Sequence, residues 1–114
     1  MRPRSISVTG NGSTRNSTPV PIDWRATPVN LGLMFTTTGN TTNFKVQYTM
    51  SPSSDHASAS DGNTASVWFD HASMTAMTAA AAGSILFPVT GVRLQANNAG
   101  TDTGTLQIIT ATAP

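Results

Sequence analysis

The stretch Thr42-Asn43-Phe44-Lys45-Val46-Gln47-Tyr48-Thr49-Met50 reads as a β-strand. Phe44, Val46, Tyr48 and Met50 fall at every second position, with Lys45, Gln47 and Thr49 between them. Successive side chains of a strand point to opposite faces. The alternation therefore predicts one apolar face turned to a core and one polar face turned to water.

The same period extends upstream. Val29, Leu31, Leu33 and Phe35 share a face, with Gly32 opposite, and Thr36 to Thr41 around Gly39-Asn40 is a hairpin loop. Val20, Ile22 and Trp24 alternate with Pro19, Pro21 and Asp23. Proline donates no ladder hydrogen bond, so this run is an edge strand or an extended arm. Ile6 and Val8 alternate with Ser5, Ser7 and Thr9.

Downstream, Ser51 to Ala65 is a polar loop containing Pro52 and an Asp61-Gly62-Asn63 turn. Val67, Trp68 and Phe69 predict a short buried strand within Ser66 to Asp70, with Trp68 or Phe69 filling the core and Asp70 accepting local backbone hydrogen bonds. His71 to Gly83 is ambiguous. Met74, Met77 and Ala81 have helical spacing, Ala79 to Ala82 favour helix, and Gly83 is a fitting terminator. So short a helix without charge is marginal, and the reading is a loop with at most a helical turn. Ile85, Phe87 and Val89 resume the strand pattern, but Val92 and Leu94 are out of step with it. A parity break at Gly91 predicts a bulge or a corner where the chain changes sheets. Asn97 to Asp102 is a turn, and Thr103 to Thr112 is the last strand.

The sum is an all-β, single-domain β-sandwich, jelly-roll-like, with about eight short antiparallel strands. Residues 1–18 are expected to form an N-terminal arm dispensable for folding, and 19–114 the sandwich. Composition agrees. The 114 residues include 19 Thr and 12 Ser, one Lys, no Glu and no Cys. Surface helices are usually filled with Glu, Lys, Gln and Leu, whereas Thr, Val and Phe suit strands. Leu, Ile, Val and Phe total 21 residues and 14 more are Ala, so the core is expected to be thin and part of the stability to come from association. A net charge of +1 carries no basic footprint for nucleic acid. No stretch reaches the roughly 18 to 20 apolar residues of a membrane span. The start lacks a signal-peptide h-region, which predicts folding in a reducing cytoplasm.

The chemistry-bearing residues do not assemble into a motif. His56 and His71 have abundant Ser nearby but no Gly-x-Ser-x-Gly elbow. Asp23, Asp55, Asp61, Asp70 and Asp102 fall mostly in turns, where Asp bonds its own backbone. Asp55, His56, Asp61, Asp70 and His71 match neither a zinc nor an EF-hand spacing. The expectation is no catalytic residue, no metal and no cofactor. Trp24, between Asp23 and Arg25, is either an interface anchor or a core residue closing one end of the sandwich. Arg2, Arg4 and Arg15 lie in a segment rich in Ser, Thr, Gly and Asn, which is either frayed or ordered against a partner. Its alternating Ile6 and Val8 favour the second. The candidate interface is thus Arg2, Arg4, Ile6, Val8 and Arg15, continued by Val20, Ile22, Trp24 and Arg25.

Four blocks in order complete the reading: "FKVQYTMSP" at 44–52, "VWFDHASM" at 67–74, "FPVTGVRL" at 87–94 and "GTLQIITA" at 104–111. Together they resemble a group of small virion proteins of tailed bacteriophages over about residues 17 to 112. That resemblance implies a non-enzymatic structural role on the particle, with Trp68, Asp70 and His71 as a structural corner. Small all-β proteins of this kind decorate or cement capsids, often as jelly rolls in pairs or threes. The implied partner is the major capsid protein, bound on the outer capsid surface by a dimer or trimer assembled in the bacterial cytoplasm. A head–tail connector or tail/fibre-base part is the alternative. A carbohydrate-binding module, stacking sugars on Trp24, Trp68 or Tyr48, is a third. The Ala79 to Ala82 run and the arginines at 2 and 4 depart from the group's pattern.

Overall fold

Four antiparallel pairings nest inside one another along the chain. The computed structural model describes residues 4–12, 14–22, 30–51, 67–97 and 100–110. Among the described residues lie nine strands: β1 (Arg4–Thr9), β2 (Arg15–Asn16), β3 (Val20–Pro21), β4 (Leu31–Thr37), β5 (Phe44–Thr49), β6 (Trp68–Asp70), β7 (Ala81–Ile85), β8 (Gly91–Ala96) and β9 (Thr103–Thr110). Strand β1 pairs with β9, β2 and β3 with β8, β4 with β7, and β5 with β6. Lateral pairing of β4 with β9 and of β5 with β8 then gives two sheets. Their orders are β1-β9-β4-β7 and β2-β8-β5-β6, with β3 also beside β8. This is jelly-roll connectivity, an architecture shared by viral capsid domains and lectins.

The period-two residues close the core between the sheets. Leu31, Leu33 and Phe35 of β4, Phe44 and Val46 of β5, Val92 and Leu94 of β8, and Leu106 and Ile108 of β9 are all buried. The Phe35 and Phe44 rings meet across the sandwich at 5.1 Å between centroids. Gly104 of β9 lies against that pair, and a Cβ there would stand 2.7 Å from Phe44 and 2.8 Å from Phe35. The absence of a side chain is what lets the two rings come together. Val89 is fully buried in the crossing from the first sheet to the second, and β8 opens at Gly91. The parity break marks that change of sheets, as the sequence suggests.

Two local readings are corrected, and the loop expected over His71 to Gly83 holds up to Ala80. The strand expected over Ile85, Phe87 and Val89 stops at Ile85 and instead occupies Ala81–Ile85. Pro88 has no N–H to donate to a ladder, so the chain leaves the sheet there. Val67 to Phe69 is not a buried strand: β6 is a three-residue edge strand, with Val67 and Phe69 exposed. The helical spacing of Met74 and Met77 comes from a loop laid along β5. Val46 N–H donates to Met74 O at 2.9 Å, and Phe44 and Met77 exchange both backbone bonds, so both methionines enter the core without a helix.

Candidate interaction surface

An aromatic edge forms where β6 ends the second sheet. Phe69 is the cross-strand partner of Tyr48 on β5, their rings stacked 5.9 Å apart. Phe87, turned out of the sheet ahead of Pro88, meets Tyr48 edge-on at 5.0 Å. Tyr48 is half-buried, while Phe69 is 49% and Phe87 39% exposed. Val67 and Leu86 beside them in the chain are more exposed still. Clustered apolar exposure of this kind marks an interaction surface, whereas scattered single residues need no explanation. The sequence hid it because Phe69 and Phe87 both sit in apolar runs that read as core. The one available signal is Pro88, which forbids the strand that would have buried Phe87.

The outer face of the same sheet is polar and tightly bonded. Gln47 Nε2 donates to Asp70 Oδ1 at 2.9 Å, and Arg93 Nε donates to Gln47 Oε1 at 2.8 Å. The Arg93 guanidinium lies 4.3 Å from the centroid of the Trp68 ring, a cation–π contact. Lys45 Nζ is 3.3 Å from Asp70 Oδ1. The Gln47 hydrogen bond, then the Lys45 hydrogen bond and charge, hold the Asp70 carboxyl below its ordinary value against some desolvation. Both charges of the pair are well exposed, so the ion pair itself adds little stability. Asp70 thus takes bonds from side chains across the sheet rather than from local backbone.

His71 follows as a connector. Its Nε2 faces Ser84 O at 2.8 Å, and its Nδ1 accepts the backbone N–H of Ser73 at 3.1 Å and of Met74 at 3.3 Å. An Nδ1 that accepts from N–H groups carries no proton, so this network assigns the hydrogen to Nε2. The imidazole ties the β6 exit to β7 and is buried there. Trp68, Asp70 and His71 therefore each fasten a different neighbour at one corner.

Of the residues proposed from sequence as an interface, those that are described lie on or beside β1, β2 and β3. Arg2, Trp24 and Arg25 lie outside the described residues, as do Asp23, Asp55, His56 and Asp61. Arg4 is exposed at the start of β1, and its Nη1 donates to Pro21 O at 3.3 Å. Ile6 packs against the core and Val8 is buried in it. Arg15 is exposed on β2, opposite Ala96. Val20 and Ile22 are core residues. The expected arm thus finds its pairing partner in its own chain. Arg4–Thr9 run antiparallel to Thr103–Ile108, reinforced by hydroxyl bonds from Ser7 to Thr105 at 3.0 Å and Thr9 to Thr103 at 2.8 Å. The described residues of the 1–18 segment include two strands of the sandwich, because β9 offers an open edge and Val8 a place in the core.

No family model matches the chain, and no curated protein matches it. The chain is similar to a solved structure of the infectious bursal disease virus VP2 subviral particle, at 16% identity and a TM-score of 0.36, covering 97% of this chain and 33% of that one. It is similar also to the structure of the infectious bursal disease virus Gx strain, at 16% identity and a TM-score of 0.32, covering 95% of this chain and 32% of that one. The chain spans about a third of the length of these proteins. At such TM-scores the likeness carries no functional weight.

Proposed function

We propose that this chain is a non-enzymatic structural protein of a virion, specifically a capsid decoration protein that braces the major capsid lattice from its outer surface. The observation that carries the reading is the complete nested jelly roll ending in an exposed aromatic edge at β6. Jelly rolls build capsid domains, and the resemblance of the four sequence blocks to small phage virion proteins supports the same role. A net charge of +1 suits a surface repeated many times without strong self-repulsion.

With β1 and β9 paired, attachment falls to the aromatic edge. Phe69, Phe87 and Leu86 bury apolar area against the capsid, while the short β6 edge, last in its sheet among the described residues, takes an added strand whose main-chain hydrogen bonds supply affinity. Pairs or threes of the chain cap neighbouring capsid subunits. Assembly takes place in the bacterial cytoplasm.

Co-sedimentation with undecorated capsids tests this. The intact chain is expected to pellet with particles, and Phe69→Ser with Phe87→Ser to lose most of that binding while keeping the fold. Failure of the intact chain to bind would overturn the decoration role and favour a connector or fibre-base position.

A further inference from the structure

A trough crosses the outer face of the second sheet at the end away from the aromatic edge. Its space of about 210 Å³ is lined by Thr14, Asn43, Lys45, Thr75, Gln95 and Asn97. The strand register explains the convergence. Lys45 and Gln95 are cross-strand partners, and Arg15 faces Ala96, so Thr14 leans over the same face as Gln95. Asn97 N–H donates to Asn43 O at 2.8 Å, which fixes the two asparagines side by side at the strand ends. Thr75 comes from the loop laid along β5 and forms the opposite wall. The side chains of Thr14, Asn43 and Thr75 hydrogen-bond no other described residue.

We infer that this trough binds a single pyranose unit of a glycan through hydrogen bonds. Amide side chains present both donors and acceptors, and threonine hydroxyls do the same, which matches the vicinal hydroxyls of a sugar. Gln95 Nε2 already donates to Asn16 Oδ1 at 2.8 Å, so Thr14, Asn43 and Thr75 supply the main contacts. An anion fits the lining less well. Its one charge, Lys45, already lies 3.3 Å from Asp70, and the other lining side chains are neutral. A flat aromatic ligand has no platform, because Phe44, the one aromatic residue of the lining, turns its ring into the core and is only 1% exposed. The space is smaller than the roughly 300–1,000 Å³ of drug-sized pockets, so it holds one ring rather than an extended ligand. A site of this kind is weak alone. On a particle carrying many copies, a point that rests on the proposed virion role, repetition raises avidity without new contacts.

The test is a titration of the isotope-labelled full chain with glucose, galactose, mannose and N-acetylglucosamine, and separately with phosphate, followed by amide NMR. Saturable shifts of the Asn43, Gln95 and Asn97 side-chain amides with at least one sugar are expected. Asn43→Ala and Thr75→Val lie outside the core, and each should weaken that binding about fivefold, the size of one neutral hydrogen bond. Phe69→Ser should leave it unchanged. The inference is overturned by no saturable shift with any sugar, by shifts with phosphate alone, or by sugar shifts confined to Tyr48, Phe69 and Phe87. Capsid binding plays no part in this readout, so the site and the decoration role fail separately.

Discussion

The Asp102 carboxylate accepts the backbone N–H of Thr41 at 2.7 Å, closing the β8–β9 turn onto the β4–β5 loop. The same oxygen takes the Thr41 hydroxyl at 2.9 Å and the Thr42 N–H at 3.0 Å. In return Asp102 N–H donates to the Thr42 hydroxyl at 3.1 Å, and Gly10 N–H donates to Asp102 O at 2.9 Å. One residue, through its side chain and its backbone together, thus joins three connections at the same end of the sandwich.

Backbone N–H donation from Thr42, then Thr41, holds the Asp102 carboxyl below the ordinary 3.8. A folded-state value below the unfolded one contributes stability that is present above the unfolded value and is lost as pH falls through the folded one. Melting temperature is therefore expected to hold from neutrality down to about pH 5 and to fall progressively below roughly pH 4. Asp70, lowered by Gln47 and Lys45, contributes in the same direction. Asp102→Asn should melt lower at pH 7 and show a shallower acid decline. An unchanged pH profile would remove Asp102 from this role.

Gly104→Ala should be strongly unfavourable. Its Cβ would meet the Phe44 and Phe35 rings at 2.7 and 2.8 Å, and overpacking of a closed core costs about 1–3 kcal/mol. Gly32→Ala serves as the control, since the nearest atom to its Cβ is 3.7 Å away on an exposed face. Denaturant midpoints of the two variants should separate clearly, with Gly32→Ala near the parent.

Aromatic truncations should divide by location. Phe44→Ala removes a fully buried ring and is expected to cost about 3–5 kcal/mol. Phe69→Ala should cost far less, because about half of that residue is already in water. Equal losses of melting temperature in the two would contradict the edge position of Phe69.

Deleting residues 1–10 should destabilise the domain rather than trim an accessory arm. It removes all six register pairs of β1 with β9 and the buried Val8. It also leaves β9 as an open edge, which invites association between chains. A lower denaturant midpoint with increased light scattering is expected; a parent-like midpoint would return the segment to the status of an arm.

What the sequence determined by itself is the strand content and the inward faces. Leu31, Leu33, Phe35, Phe44 and Val46 announce themselves through period two, because alternation is a local consequence of strand geometry. Gly91 likewise marks the change of sheets within a few residues of chain. Partner choice is not local. That β1 takes the edge of β9 rather than of another molecule depends on residues about a hundred positions away. The exposure of Phe69 follows from β6 being the last strand of its sheet among the described residues, a property of strand order that no residue carries. The trough at Asn43 and Gln95 arises in the same way, since four separate segments supply its lining. Short-range pattern fixes which way a side chain points; only the assembled sheets decide whether another layer stands there to cover it.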